Sequence, residues 1–478
     1  MELRTTLKCS TPRVITAALS GGAGKTLITV GLIGALRRRG MLVGAFKKGP
    51  DYIDAGWLGL ASREACYNLD TYLFPEEIVR GSFVRRSLGK QISVVEGNRG
   101  LFDGVNPEGG YSTAELAKLL RAPVVLIVDA SKVTRTAAAL VLGCREFDKD
   151  LNVAAVILNR VAGSRHERIL RQSIEAATAI PVMGSVRKLA AKNLPQRHLG
   201  LLPLHEHPGA LQFIEDAANL IEESVDVENL LTVAASAVPV EALSTCPKDM
   251  VGAGVTLPTV RIGIVRDSAF QFYYPENVEA LLETGAEMVE ISALEEKPLP
   301  RIDALYIGGG FPETHAEALA GNRVFKKSLR EEVSAGLPVY AECGGLMYLC
   351  RNLLIDGMSY PMAGVFSMDA VLERKPQGLG YVQVEVTYPN PFYPCGAVLT
   401  GHEFHYSSIQ GLDDSSVSWA FRVLRGHGVD GIRDGACRLN AFGTYVHMHA
   451  LGESLWAKGL INAALDYHAT RTNRPAAV

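Results

Sequence analysis

Leu19-Ser20-Gly21-Gly22-Ala23-Gly24-Lys25-Thr26 decides how the first half of this chain is read. It ends an apolar run that begins at Arg13 and opens a helical pattern. A Gly-rich turn between strand and helix aims consecutive backbone N–H groups at one anion, and the helix N-terminus adds partial positive charge. In that reading Gly22 and Gly24 shape the cradle, Lys25 reaches terminal phosphates and the Thr26 hydroxyl ligates magnesium. The pattern GxxxxGK[ST] asks for glycine at position 19, where Leu19 stands, so the loop is a variant closer to the short GxGKT form.

Outward from this loop, short apolar runs recur at Arg13–Ser20, Met41–Lys47, Ile92–Glu96, Pro123–Ala130, Val153–Val161 and Pro181–Val186. Amphipathic patterns such as Ser112–Arg121, Thr134–Phe147 and Arg165–Thr178 lie between them. The alternation predicts a parallel sheet covered by helices on both faces, with the ligand crevice at the carboxyl ends of the strands. Acids cluster where those ends fall. Asp51 and Glu96 are natural magnesium ligands beside Thr26, while Asp54 and Asp103 hold or orient a substrate. Asp129 either joins them or caps a helix.

A second signature, Val339-Tyr340-Ala341-Glu342-Cys343-Gly344-Gly345, places a cysteine on a strand-to-helix turn. A helix N-terminus and a neighbouring histidine favour the thiolate, by the elbow logic of serine hydrolases. His447, in Gly443-Thr444-Tyr445-Val446-His447-Met448-His449, suits the base, and Gly308-Gly309-Gly310 suits an oxyanion site. His447 and His449 at i, i+2 raise a metal pair, without a third ligand at sensible spacing. His402 and His405 either face substrate or line a polar strand edge. The rhythm is lost from 226 to 259, so the expected division is 1–231, a linker at 232–259, and 260–478, with antiparallel strands after Cys343 and a closing helix from Glu453.

The bulk numbers bound the partners. The 478 residues exceed one ordinary core. A net charge of −3 with no long basic run argues against nucleic acid, and no apolar stretch is long enough to span a membrane. Eight cysteines without a CxxC pair argue against zinc and disulfides, and the absence of a signal-peptide layout points to the cytoplasm.

These residues resemble the cobyrinate a,c-diamide synthase family of glutamine-dependent tetrapyrrole amidoligases over nearly the whole length. The likeness rests on Ser20–Thr26, Lys48-Gly49-Pro50-Asp51-Tyr52-Ile53-Asp54, Glu96–Gly104, Ser112–Ala117, Leu158–Val161, Tyr340–Leu346, Gly401–Ser407 and Tyr445-Val446-His447. The resemblance implies an α/β chain: an N-terminal P-loop, dethiobiotin synthetase-like amidoligase domain and a C-terminal class I glutamine amidotransferase domain. It implies ATP and magnesium, with Asp51, Asp54, Glu96 and Asp103 at the amidation site and Asn159 on the adenine. It also implies Cys343 as nucleophile and His447 as base. The carboxylate that class I sites usually place two residues after the histidine is His449 here, so what orients His447 is left open. The family pattern Glu-Gly-Val-Met-Gly reads Glu96-Gly97-Asn98-Arg99-Gly100, and Arg99 could hold an extra substrate carboxylate or a surface ion pair.

The expected reaction is ATP- and glutamine-dependent amidation of the a and c acetate side chains of cobyrinate through an acyl phosphate. Related acids (sirohydrochlorin, its nickel complex, siroheme) are alternatives. Ammonia would have to travel inside the protein, being mostly ammonium in bulk water near pH 7. The partners are then a tetrapyrrole polycarboxylate, L-glutamine and ATP, with a homodimer left open. A P-loop ATPase switch with an inactive glutaminase domain is the rival of another class, and it has no use for the Cys343 and His447 pair.

Overall fold

The computed structural model describes residues 6–188, 196–197, 200–201, 209–243, 259–412 and 416–472. The chain divides into two compact units, Met1–Thr245 and Cys246–Val478.

In the first unit the strands are β1 (Thr6–Cys9), β2 (Arg13–Ala18), β3 (Val43–Lys48), β4 (Cys66–Leu69), β5 (Ile92–Glu96), β6 (Val124–Asp129), β7 (Val153–Val161), β8 (Val182–Arg187), the two-residue pair β9 (Gln196–Arg197) and β10 (Gly200–Leu201), and β11 (Val240–Leu243). The helices are α1 (Lys25–Arg38), α2 (Ile53–Ser62), α3 (Glu76–Ser87), α4 (Thr113–Leu119), α5 (Thr136–Phe147), α6 (Ser164–Thr178), α7 (Ala210–Ser224) and α8 (Val227–Ala235). Seven strands form a sheet in the order β4-β3-β5-β2-β6-β7-β8, every neighbouring pair parallel. The central strands read as unbroken apolar runs because helices cover both faces. β2 lies mid-sheet between β5 and β6, so the loops after β2, β3, β5, β6 and β7 converge at one end.

The stretch read as a linker from 232 is ordered at its start. α8 runs to Ala235, capped by the Asp226 carboxylate on Asn229 N–H (3.1 Å), and β11 pairs antiparallel with β1. The remainder, 244–258, lies outside the described residues.

In the second unit the strands continue as β12 (Arg261–Val265), β13 (Phe270–Phe272), β14 (Glu287–Ile291), β15 (Ala304–Ile307), β16 (Gly309–Gly310), β17 (Val339–Glu342), β18 (Asn352–Ile355), β19 (Met358–Pro361), β20 (Asp369–Leu372), β21 (Gly378–Val386), β22 (Val398–His405), β23 (Ser407–Gln410), β24 (Ser418–Arg425), β25 (Arg433–Arg438) and β26 (Ala441–Thr444). Its helices are α9 (Pro275–Glu283), α10 (Ala316–Gly321), α11 (Arg323–Ser334), α12 (Gly344–Leu349) and α13 (Ser454–Thr472). The main sheet runs β14-β12-β15-β17-β26-β25-β24-β21-β22. It is parallel from β14 to β26 and antiparallel beyond. The antiparallel half curls back on itself, since His402 of β22 exchanges both backbone hydrogen bonds with His447 just past β26 (3.2 and 2.8 Å). That closure brings two distant segments against the turn after β17. Among the described residues no helix is long and apolar enough to cross a membrane.

Candidate functional site

The first cluster gathers where β2, β3 and β5 end. Gly24 caps α1 in the left-handed region at φ 88°, and a Cβ there would strike the Asn159 amide nitrogen. A side chain at 24 is thus excluded by both backbone and space. Gly22, at φ 73°, faces open space. Lys25 lies along the loop, its ammonium donating to Arg99 O (2.7 Å) and Ser20 O (3.3 Å). Burial lowers its pKa, and the nearby Lys47 charge adds to this.

Thr26 Oγ1 donates to Glu96 Oε1 (2.9 Å) and lies 3.2 Å from Asp54 Oδ1. Lys47 bridges the same acids, its ammonium 2.7 Å from Asp54 and 2.8 Å from Glu96. Burial works against the Lys47 charge, but Asp54 and Glu96 more than compensate and hold it protonated. Burial also lifts Glu96 above the usual carboxylate range, against the opposing pull of Lys47. Asp51 is lifted too, by burial and by Asp54.

The expected magnesium set is therefore only partly assembled. Thr26 and Glu96 meet, but Asp51 turns to accept the Asp54 backbone N–H (2.9 Å), and Asp54 occupies the place beside Thr26. Asp103 braces its own loop by accepting Gly100 N–H (2.9 Å). Asn159, expected on the adenine, donates its amide to Ala23 O in the P-loop (2.8 Å). Arg160 next to it pairs with Asp129 and donates to Gly22 O (2.8 Å). Asp129 thus serves a P-loop brace. Among the described residues no three His, Cys, Asp or Glu side chains gather as a metal cage. The donors nonetheless suit magnesium bound with a nucleotide. Glu96 Oε2 is buried with no hydrogen-bond partner, and magnesium needs only one or two protein oxygens beside phosphates and water.

The second cluster surrounds Cys343, which sits between β17 and α12 at φ 48° and ψ −100°. Gly345 permits the turn to press on β15, because a Cβ there would fall 2.5 Å from Ile307 O. The thiol is nearly buried and points toward Phe404 O (3.7 Å). His447 approaches from the segment after β26 beside Cys343 and Glu342, both of which favour its charged form. Burial lowers its pKa, but those two partners outweigh it and push His447 up to about 9. The neighbouring imidazoles behave in the opposite way. Burial holds His402 well below its usual value and takes His449 down to about 3.

His447 and His449 therefore part company. His447 lies 3.5 Å from Glu342, whereas His449 lies 3.7 Å from Glu276 and packs on Tyr274 at 4.4 Å. His402 and His405 are both buried: the first stacks on His447 (4.9 Å), the second on Tyr445 (3.6 Å). Neither is a polar strand edge. The Gly308 N–H is committed to the Tyr273 hydroxyl (2.8 Å), which removes it from the expected oxyanion site. The Gly344 N–H opens α12 and has no acceptor within the helix, and Gly310 N lies beside it.

Two buried side chains escaped the sequence reading, Lys47 and Glu342. Each stands at or near the end of an otherwise apolar strand, which is the signal that could have found them: a charge there must be paired.

A P-loop unit followed by a unit with a cysteine–histidine elbow defines a glutamine-dependent amidoligase. Residues 14–201 match the CobQ/CobB/MinD/ParA nucleotide binding domain, and residues 261–455 match the CobB/CobQ-like glutamine amidotransferase domain. The cobyrinate a,c-diamide synthase of Magnetococcus marinus is 42% identical over 93% of this chain and 96% of its own length. Those of Archaeoglobus fulgidus (37%, covering 95% and 98%) and Syntrophotalea carbinolica (39%, covering 92% and 96%) are similar throughout as well. The chain belongs to the cobyrinate a,c-diamide synthase family.

Proposed function

We propose that this chain converts cobyrinate to its a,c-diamide, using ATP to activate each carboxylate and glutamine as the nitrogen source. The observation that carries this reading is full-length similarity to relatives of that name, together with both clusters in one chain.

A carboxylate resists ammonia because oxide is a poor leaving group. In the proposed first step a substrate carboxylate oxygen attacks the γ-phosphorus of ATP, giving an acyl phosphate and ADP. The P-loop amides and Lys25 stabilise the charge on the transferring group. Thr26 and Glu96, with Asp54 alongside, would hold magnesium, which supplies charge neutralisation when bound with the nucleotide. Lys47 pairs with both the Asp54 and Glu96 carboxylates and offsets their charge. Asp51 and Asp103 shape the loops that border the substrate.

In the second cluster Cys343 attacks the side-chain amide carbon of glutamine. His447 takes the thiol proton and returns it to the departing ammonia, leaving a glutamyl thioester that water cleaves to glutamate. Ammonia then displaces phosphate from the acyl phosphate, leaving the amide.

Arg99 is exposed on a left-handed turn (φ 49°) in the loop that holds Lys25, which keeps open a different arrangement of substrate carboxylates. The test is mass spectrometry of products from cobyrinate, sirohydrochlorin, nickel-sirohydrochlorin and siroheme, each with ATP and glutamine. Two amides on cobyrinate and none on the others is expected. Amidation confined to another ring would overturn the substrate, and ATP hydrolysis with no amide on any ring would favour the switch reading.

A further inference from the structure

We propose that Glu342 is the positioning residue of the glutaminase site, its carboxylate orienting His447 from inside the strand that carries the nucleophile. This rests on the glutaminase reading given above and identifies what holds its base.

Glu342 is fully buried at the last position of β17, immediately before Cys343. One oxygen lies 3.5 Å from His447 Nδ1 and accepts the Tyr306 hydroxyl at 3.1 Å. The other accepts the Met448 backbone N–H at 3.3 Å. The carboxylate is thus fixed from β15 and from the residue following His447. A buried carboxylate is strongly unfavourable unless paired, and here its pairing partner is the proposed base.

The remaining groups around His447 do not replace it. The His402 ring stacks on it at 4.9 Å, bonded to the Tyr274 hydroxyl (3.2 Å) and kept neutral by burial. His449, where class I sites usually have their acid, is also neutral and faces Glu276 and Tyr274. Tyr273 and Tyr306, which flank Glu342, are held protonated by burial.

With Nδ1 facing Glu342, the other ring nitrogen is left for the Cys343 proton. Transfer of that proton makes an imidazolium between a carboxylate and a thiolate. When the thiolate attacks glutamine and the carbon–nitrogen bond breaks, the proton leaves with ammonia and the imidazole returns to neutral. The Glu342 carboxylate, facing Nδ1, favours the charged ring at each turnover.

The experiment compares wild type, Glu342→Gln and Tyr306→Phe for three activities: glutamine hydrolysis, alkylation of Cys343 by iodoacetamide across pH, and ammonia-driven synthesis. Glu342→Gln keeps an acceptor but loses the charge, so glutamine turnover is expected to fall about 10- to 100-fold. Its alkaline limb should move down by about one unit, because without the carboxylate charge the imidazolium loses its proton more readily. Ammonia-driven synthesis should stay intact, which also reports folding. Tyr306→Phe leaves Glu342 in place but frees one oxygen, and should move the same limb by less. Unchanged turnover and profile in a folded Glu342→Gln protein would overturn the proposal. If that variant does not fold, an unshifted profile in Tyr306→Phe overturns it. A wild-type chain that cannot hydrolyse glutamine sinks the glutaminase reading itself, whereas active wild type matched by Glu342→Gln sinks only the role of Glu342.

Discussion

Replacing Gly345 by alanine tests how closely the cysteine elbow depends on contact between α12 and β15. The added Cβ would fall 2.5 Å from Ile307 O and 3.1 Å from the Ile307 carbonyl carbon and Cβ. An ordinary carbon–oxygen contact needs about 3.3 Å, so one element must retreat by roughly 0.8 Å. Ile307 cannot give way as a flexible side chain would, because the atoms struck include backbone of a strand paired on both sides. Overpacking of this kind costs about 1–3 kcal/mol. At roughly 2–4 °C per kcal/mol for a unit of this size, the melting transition of the C-terminal unit should fall by about 2–12 °C. The larger effect should be on turnover, since the retreat moves Cys343 away from His447. A displacement near 1 Å costs on the order of 10²-fold. Calorimetry with paired assays of glutamine-dependent and ammonia-driven synthesis is the measurement, and only the glutamine assay should fall. Gly143→Ala is the control: it lies in α5 with nothing within 4 Å of the added carbon, and should be neutral or stabilising by about 0.5–1 kcal/mol. Wild-type glutamine turnover in Gly345→Ala would refute the claim that this contact sets the thiol.

Cys343→Ala should abolish glutamine use while ammonia still supports synthesis; loss of both would show that the two chemistries are not separable. Lys25→Ala should lose ammonia-driven synthesis too, by about 10²–10³-fold as for removal of a charge-stabilising donor, and near-normal turnover would remove Lys25 from the phosphate site. Asp54→Asn should raise the magnesium concentration needed for half-maximal activity more than Asp51→Asn does, because Asp54 lies beside Thr26 and Asp51 does not. The reverse order in a magnesium titration would return Asp51 to the metal.

The parallel sheet was legible because its strands are buried on both faces and read as apolar runs; Ile92–Glu96 and Val153–Val161 fall where the runs lie. Edge strand β4 was not, since Cys66-Tyr67-Asn68-Leu69 is short and mixed and its partner is fixed only by the sheet. The Ala- and Pro-rich stretch after 232 conceals β11, whose pairing with β1 joins segments some 230 residues apart and leaves no local trace. The segments carrying Cys343 and His447 were legible as motifs, and so was the P-loop. Asp51 and Asp54 could not be told apart from sequence, because which of two acids three residues apart faces Thr26 depends on how α2 begins. Glu342 was hidden for a related reason: its partner arrives from a segment 105 residues later, delivered by the closure of the antiparallel half.

Both turns place one residue in a positive-φ conformation between strand and helix, Gly24 at φ 88° and Cys343 at φ 48°. The first offers only backbone N–H groups, so glycine serves. The second presents a side chain, so strain on the order of 1–3 kcal/mol is stored at Cys343, the proposed nucleophile. Comparing Cys343→Gly with Cys343→Ala isolates that strain, since both remove the thiol. At an unstrained buried site the glycine variant would be the weaker by roughly 1.5 kcal/mol, from chain entropy and one lost methyl. Here relief of the strain should cancel most or all of that difference. Equilibrium denaturation of the two variants reads it directly. A glycine variant weaker by the full 1.5 kcal/mol or so would mean that the elbow holds its cysteine without strain, and that the thiol is presented by packing alone.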